Sequence, residues 1–225
     1  GVIALEENWS RTAEGIMAVE ANAKLHLDSV KQEIGDEVLD STYEKVFMGE
    51  NAGRVWVHAH HGVNNLEDIF SKLRYMIIGL DCRWMVVDHL HMFVLATLES
   101  DERKAIDGIM HRLRTMVEET GCGMILVSHL RRIDGNRGHE NGIETGLNHL
   151  RGSQSIAQLS DCVISLERNQ QSEDELEAST TKVRVLKSRY TGDVGVATQL
   201  MYDSETGRLR ELGEYDESQF ERDII

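Results

Sequence analysis

The chain has 225 residues, of which 40% are hydrophobic and 28% charged, and its formal net charge is −15. This length and apolar content suit one substantial α/β domain with a buried core. The acidic balance argues against a protein that coats nucleic acid with its whole surface. A narrow basic contact strip remains compatible with it, because phosphates are neutralised locally.

The sequence contains no apolar run long enough to span a bilayer and does not open with a signal peptide. Its three cysteines, Cys82, Cys122 and Cys162, form no C-x-x-C pair. An odd count without paired spacing predicts neither a disulfide framework nor a cysteine-ligated zinc site. Such thiols are typical of a reducing compartment, so we expect a cytoplasmic protein.

Short apolar runs alternate with longer helical patterns, which is typical of a mostly parallel sheet covered by helices. The predicted strands are Val2–Leu5, Val55–Val57, Trp84–Val87, Met124–Val127 and Cys162–Leu166. The last three are nearly continuous in apolar residues, which predicts burial on both faces.

Helices are predicted between these strands. The first runs from about Arg11 to Leu27, and the second begins near Asn64, which with Glu67 resembles an N-terminal capping pair. The third occupies Asp101–Thr120, and its apolar residues fall on one face: Ile106, Ile109, Met110, Leu113 and Val117.

The pattern changes after Ser179 to three short strands, Lys182–Ser188, Ala197–Tyr202 and Arg208–Leu212. The run Asp203–Gly207 predicts a hairpin turn, so we expect the sheet to end in antiparallel strands. Segment 131–149 is rich in glycine and arginine and has no apolar periodicity. A loop of that length inside a compact domain is usually functional.

Polar residues follow three of the predicted strands. Glu6 and Glu7 end the first, Asp88 ends Trp84–Val87, and His129 lies just beyond Met124–Val127. Ligands of open α/β sheets bind outside the carboxyl ends of the strands. An apolar strand that ends in aspartate is the Walker B pattern, whose carboxylate holds Mg²⁺, usually through water. Taken singly, each residue also fits an ordinary polar strand end.

Longer motifs are far more specific than these single residues. They are Val87-Asp-His-Leu, Glu99-Ser-Asp-Glu-Arg-Lys, Leu150-Arg-Gly-Ser-Gln, the run from Gln158 to Gln171, and Val185-Leu-Lys-Ser-Arg-Tyr-Thr-Gly-Asp193. On these motifs the chain resembles the helicase part of T7-type phage primase–helicases, and less closely the mitochondrial helicase Twinkle and bacterial DnaB. The resemblance implies a RecA-like α/β fold with a mostly parallel sheet flanked by helices. It also implies a helicase core over residues 1–212 and an acidic tail over 213–225.

The resemblance implies roles for individual residues at a nucleotide site. Glu6 takes the place of the catalytic base with Glu7 beside it, and Asp88 that of the Walker B aspartate holding Mg²⁺. His129 corresponds to the γ-phosphate sensor. Arg189 corresponds to an arginine finger that reaches the nucleotide of a neighbouring subunit. Lys187 would approach the same phosphates as Arg189, and Arg168 and Tyr202 would stack on the base of the bound ATP or dTTP.

The resemblance also implies partners. The loop after His129 corresponds to the family's DNA-contacting loop, with phosphate contacts expected from Arg131, Arg132, Arg137 and Arg151. In a ring, which we expect to be a hexamer, copies of this loop would line a channel and follow one DNA strand without reading sequence. We expect 5′–3′ unwinding at a replication fork, a phage source acting in the host cytoplasm, and polymerase contact through the acidic tail.

The family's phosphate-binding loop, Gly-x-x-x-x-Gly-Lys-[Ser/Thr], does not occur in this sequence. We therefore expect the chain to be a fragment that begins just downstream of that loop, with little nucleotide binding or hydrolysis of its own. Other classes remain open. They are a metallohydrolase using His58, His60, His61, Asp88 and His91, a recombinase or clock-type ATPase of RecA type, and a non-catalytic oligomerisation or DNA-binding fragment.

Overall fold

The computed structural model describes residues 1–59, 65–132, 138–152 and 154–212. The chain forms two compact units. We call residues 1–131 with 150–160 the parallel-sheet unit, and residues 132–149 with those from 161 onward the antiparallel-sheet unit. The chain passes between them after Arg131, after His149 and after Ser160.

A three-stranded parallel sheet forms the centre of the first unit. Its strands are β1 (Val2–Ala4), β2 (Trp84–Asp88) and β3 (Gly123–Leu126), in the order β1-β2-β3. The predicted parallel sheet is thus confirmed. The strand predicted at Val55–Val57 is wrong, because only Val57 pairs, in an isolated parallel bridge with Val2.

Seven α-helices accompany this sheet among the residues described for the unit: α1 (Trp9–Ala21), α2 (Asp28–Ile34), α3 (Asp36–Phe47), α4 (Leu66–Arg74), α5 (Leu90–Leu95), α6 (Glu102–Thr120) and α7 (Ser155–Leu159). The helix predicted to reach Leu27 stops at Ala21, because Asn22 adopts the left-handed conformation with φ 54°. Helix α4 is capped by Asn65, whose side chain accepts the amide of Asp68 at 3.0 Å. The predicted cap, Asn64, lies outside the described residues.

The core of this unit lies between the sheet and helices α4, α5 and α6. Four of the five residues predicted for the apolar face of α6 are buried, namely Ile106, Ile109, Met110 and Leu113, and Val117 is half-buried. Full burial of such a side chain contributes about 1.5–3 kcal/mol. Among the described residues, none of the helices combines the length and apolar character of a membrane span.

The second unit contains a four-stranded antiparallel sheet: β4 (Cys162–Arg168), β5 (Thr180–Ser188), β6 (Gly195–Tyr202) and β7 (Leu209–Glu211), in that order. A short helix, α8 (Glu175–Ser179), precedes β5. The predicted hairpin turn is present, with the Asp203 carboxylate accepting the amides of Glu205 and Thr206.

Burial on both faces was predicted for three strands and is wrong. In β4 the side chains alternate, so that Val163 is buried while Ile164 and Leu166 are 57% and 65% exposed. Trp84 in β2 and Ile125 in β3 are also exposed. An antiparallel sheet with one covered face requires only alternate apolar residues, and the apolar run in β4 exceeds that requirement.

Candidate functional site

Three of the predicted site residues lie at neighbouring strand ends. Asp88 is the last residue of β2 and pairs with Ala4 of β1, so that Glu6 follows close behind. His129 follows β3, whose pairing with β2 continues through a 2.9 Å bond from the Val127 amide to the Val87 carbonyl. The parallel register thus brings Glu6, Asp88 and His129 to the same edge of the sheet.

A buried histidine joins two of these residues. The Nε2 atom of His89 lies 2.8 Å from Oε1 of Glu6, and its Nδ1 accepts the amide of His91 at 3.2 Å. Because Nδ1 is an acceptor, the ring hydrogen belongs on Nε2, facing the carboxylate. The hydrogen bond with His89 is the main cause that lowers the pKa of Glu6, which is ionised at neutral pH. Sequence reasoning missed His89, and its only signal was its position beside Asp88.

His89 belongs to a group that we call the histidine cluster: His89, His91 and His129. The ring centroids of His89 and His129 are 3.8 Å apart, and the rings of His91 and His129 are nearly parallel at 5.3 Å. His91 is buried, and burial lowers its pKa. The structure thus groups His91 with His89 and His129, whereas His60 and His61 of the metallohydrolase hypothesis lie outside the described residues.

The other two predicted carboxylates are Asp88, which precedes His89 in the chain, and Glu7, which follows Glu6. Asp88 is exposed at the end of β2 and offers the hard oxygen ligands that Mg²⁺ prefers, so it fits a magnesium ion bound with a nucleotide. Such an ion would neutralise phosphate charge. Glu7 instead accepts a 2.6 Å hydrogen bond from the Thr12 hydroxyl in the first turns of α1.

The predicted DNA loop is closed at its base. Leu130 and Leu150 form an antiparallel bridge, and the Arg151 amide donates to the His129 carbonyl at 3.1 Å. The Arg151 carbonyl in turn lies 3.3 Å from Nε2 of His91, so both ends of the loop touch the histidine cluster. Arg131, Arg132 and Arg151 are exposed, and Arg151 pairs with Glu102 at 3.1 Å. The fourth predicted contact, Arg137, lies outside the described residues.

The far half of the loop is tied to the antiparallel sheet by a buried carboxylate. Glu167 accepts the Thr145 amide at 2.8 Å, the Ser165 hydroxyl at 3.1 Å and Nε of Arg184 at 3.0 Å. Arg184 also pairs with Glu144 of the loop at 3.1 Å. Desolvation raises the pKa of Glu167, but these donors outweigh it and the pKa is lowered. Sequence reasoning missed this network, which a glutamate inside the apolar strand β4 could have signalled.

Arg168 and Tyr202 end β4 and β6, the two neighbours of β5. These strands run in the same direction, so the two residues lie at the same end of the sheet. The Arg168 guanidinium carbon is 5.7 Å from the centre of the Tyr202 ring, and its Nε donates to the Ala178 carbonyl at 2.6 Å. A cavity of about 230 Å³ adjoins Arg168 and is lined by both polar and apolar residues, such as Asn169, Thr180 and Leu176.

The predicted finger residues lie at the other end of β5. Lys187 is in β5 and Arg189 follows its last residue, Ser188. The Arg189 guanidinium pairs with Asp161 at 3.1 Å, and its amide donates to the Asp161 carbonyl at 2.8 Å. From Thr180 to Ser188 a strand extends about 26 Å at about 3.3 Å per residue, so Arg189 is far from the Arg168–Tyr202 pair.

Comparison with known proteins gives consistent matches. Residues 3–211 match the family model described as "DnaB-like helicase C terminal domain". A DNA helicase/primase of Enterobacteria phage T3 is 35% identical over 213 residues, which cover 93% of this chain and 36% of the relative. The chain therefore spans about a third of that relative's length.

Two solved structures share the fold. One is an ATPase domain, which aligns with a TM-score of 0.73 at 19% identity, over 94% of this chain and 73% of that one. A KaiC-like protein from the hyperthermophilic archaeon Pyrococcus horikoshii aligns with a TM-score of 0.54 at 14% identity, over 93% of this chain and 73% of that one. These likenesses confirm the predicted RecA-like fold.

Proposed function

The chain belongs to the family of DnaB-like helicase C-terminal domains, and from this premise we propose that it is the motor of a replicative DNA helicase. In this proposal, when it is joined to a phosphate-binding loop, it hydrolyses ATP or dTTP with Mg²⁺, forms a hexameric ring and moves 5′–3′ on single-stranded DNA in the host cytoplasm. The phage relative supports the phage source that the sequence suggested. Contact between the acidic tail 213–225 and a polymerase stays a prediction, because the tail lies outside the residues that the structure describes.

One observation carries the proposal: Glu6, Asp88 and His129 meet at the ends of β1, β2 and β3. Nucleotide hydrolysis needs a base for the attacking water, a carboxylate for the metal and a polar contact to the γ-phosphate. Glu6 is ionised and exposed, as a base must be. Asp88 offers its carboxylate to the metal, and His129 is exposed at the adjacent strand end.

The placement of Arg189 supports catalysis between subunits. Arg168 and Tyr202 lie at one end of β5 and Arg189 at the other. One nucleotide is too short to contact both ends, because the strand spans about 26 Å. In our proposal Arg168 and Tyr202 hold the base of one nucleotide, while Arg189 and Lys187 approach the phosphates of the next.

The loop supports coupling between DNA and the nucleotide. Arg131, Arg132 and Arg151 are exposed cations on a chain whose net charge is −15. Arginines on a channel-lining loop would bind successive phosphates locally, with a strong salt dependence. The Arg151 backbone contacts both His129 and His91. In our proposal, DNA that binds the Arg151 side chain can therefore shift the position of His129, the proposed sensor.

The test is single-stranded-DNA-stimulated hydrolysis by a form of the protein that carries a phosphate-binding loop upstream of Gly1. We expect Arg189→Ala to lower the stimulated rate by about 10³–10⁵-fold, the usual effect of an arginine finger. Arg74→Ala is the matched control, since Arg74 also forms an exposed pair with a carboxylate, Glu119, at 3.0 Å. It should leave the rate unchanged.

A mixing experiment addresses the ring. If Arg189 acts on the nucleotide of a neighbouring subunit, mixed rings of Arg189→Ala and wild-type subunits should hydrolyse nucleotide more slowly than the fraction of wild-type subunits alone predicts. Hydrolysis that is indifferent to both DNA and Arg189 would contradict the helicase proposal and favour a non-catalytic binding fragment.

A further inference from the structure

Three histidines meet where the parallel strands end, and the proposed hydrolysis requires only one of them. His89 follows β2, His91 lies in the first turn of α5 and His129 follows β3. One nitrogen of each lies within 4.8 Å of a nitrogen of both others. Two nitrogens bound to a tetrahedral Zn²⁺ are about 3.4 Å apart, given bonds of about 2.0–2.1 Å. The rings would have to approach by no more than about 1.5 Å.

His91 is already arranged as a metal ligand. Its Nε2 lies 3.3 Å from the Arg151 carbonyl oxygen, which places the ring hydrogen on Nε2 and the lone pair on Nδ1. That Nδ1 atom is buried and has no hydrogen-bond partner within the described residues. His91 is only 7% exposed. Histidine ligands of metals characteristically donate their other N–H to a carbonyl or carboxylate.

The other two histidines can complete the set. His129 is exposed, so its ring can turn without disturbing the core. His89 is 3% exposed and presents Nε2 to the Glu6 carboxylate at 2.8 Å. To bind through Nε2, His89 must carry its hydrogen on Nδ1 and release the His91 amide that Nδ1 now accepts. The loss of this backbone hydrogen bond and of the hydrogen bond to Glu6 is small beside the gain of a metal–nitrogen bond.

We propose that His89, His91 and His129, with Glu6 as the neighbouring carboxylate, bind one divalent transition-metal ion of the Zn²⁺ type. Imidazole nitrogens suit Zn²⁺, Cu²⁺ and Ni²⁺, whereas Mg²⁺ prefers oxygen ligands, so this site differs from the one at Asp88. The site does not depend on the proposed hydrolysis. Where that proposal holds, an ion here occupies Glu6 and His129 and so competes with the nucleotide.

The test is a titration of the chain with Co²⁺, followed by displacement with Zn²⁺. We expect one Co²⁺ per chain with the visible absorption of a four-coordinate ion, and loss of that absorption when Zn²⁺ is added. His129→Ala and His91→Ala should each weaken binding by at least about 10–100-fold, the range for disturbed metal shells. If His91→Ala fails to fold, the exposed His129 still provides the test.

Other histidines of the chain provide the controls. His26→Ala and His111→Ala change exposed residues outside the cluster and should bind Co²⁺ as the wild type does. The proposal is overturned if the wild type binds no stoichiometric Co²⁺, or if His129→Ala binds as tightly as the wild type. It is equally overturned if binding is lost in a His60→Ala/His61→Ala double variant. None of these results bears on the hydrolysis test, which uses Mg²⁺.

Discussion

Two glutamates of this chain are held in opposite ways. Glu6 is exposed and has one close partner, His89. Glu167 is 5% exposed and accepts hydrogen bonds from Thr145, Ser165 and Arg184. Both carboxyls have a lowered pKa, Glu6 through His89 and Glu167 through donors that overcome its burial. A lowered pKa therefore does not distinguish Glu6, the proposed catalytic carboxylate, from the structural carboxylate Glu167, whereas their burial and their number of hydrogen-bond donors do.

The largest expected effect is on DNA-stimulated hydrolysis, which should depend on Glu6 as the proposed base. In the form that carries a phosphate-binding loop, Glu6→Gln should lower DNA-stimulated hydrolysis by about 10²–10⁴-fold, because the amide cannot accept a proton. Its urea midpoint should change little, since Glu6 is exposed and the amide oxygen of the substituted side chain can still accept from His89. A Glu6→Gln protein that keeps its rate would show that Glu6 is not the base.

The next effect is on stability. Glu167→Ala should lower the free energy of unfolding by about 3–5 kcal/mol, because it leaves the Arg184 charge and the Thr145 amide without their main partner. Urea denaturation measures this. The control is Glu177→Gln, an exposed carboxylate that accepts from Ser172 and Asn169, for which we expect no shift of the midpoint. Equal effects in both variants would refute the distinction between buried and exposed carboxylates.

Acid should weaken the Glu167 network. A carboxyl whose pKa is lower in the folded state stabilises the protein above its ordinary pKa of 4.5 and loses that contribution as the pH falls through the folded value. The difference in unfolding free energy between wild type and Glu167→Gln should therefore shrink below pH 4.5. A difference that stays constant from neutral to acid pH would contradict the assignment.

A smaller effect tests how firmly the loop is anchored. Gly142 has φ +72°, and a Cβ atom there would lie 2.8 Å from Cβ of Asn169. Gly142→Ala should lower the unfolding free energy by about 1–3 kcal/mol, the range for a strained backbone position. Gly108→Ala is the matched control, because Gly108 lies within α6 with open space around it. An unchanged Gly142→Ala protein would mean that the loop adapts at this point.

The sequence predicted features that depend on neighbouring residues or on whole motifs. The apolar face of α6, the strand ends at Glu6 and Asp88 and the antiparallel ending all followed from periodicity and turn chemistry. The family followed from motifs around residues 158–193 and is confirmed by the comparisons. The roles assigned to individual site residues remain predictions.

Contacts across long sequence separations were not predictable in the same way. The pair of Glu6 with His89 depends on the parallel register of β1 and β2, and Glu167 with Arg184 on that of β4 and β5. Neither register can be read from a single sequence. The metallohydrolase hypothesis grouped His91 with His58, His60 and His61, because histidines are concentrated in that short segment. The fold instead groups His91 with His129. The end of α1 at Asn22 depends on one residue's φ, which no periodicity reveals.

The backbone contacts of Arg151 have a mechanical consequence. Since the residues at the two ends of the loop, His129 and Arg151, are hydrogen-bonded to each other, tension on the loop cannot be relieved by separating its ends. A pull on the exposed arginines is transmitted to the carbonyl of His129 and, through the Arg151 carbonyl, to the ring of His91. In the proposed helicase, force from a moving DNA strand would therefore reach the strand ends through these backbone contacts, and the same path would carry a push from the nucleotide outward to the DNA.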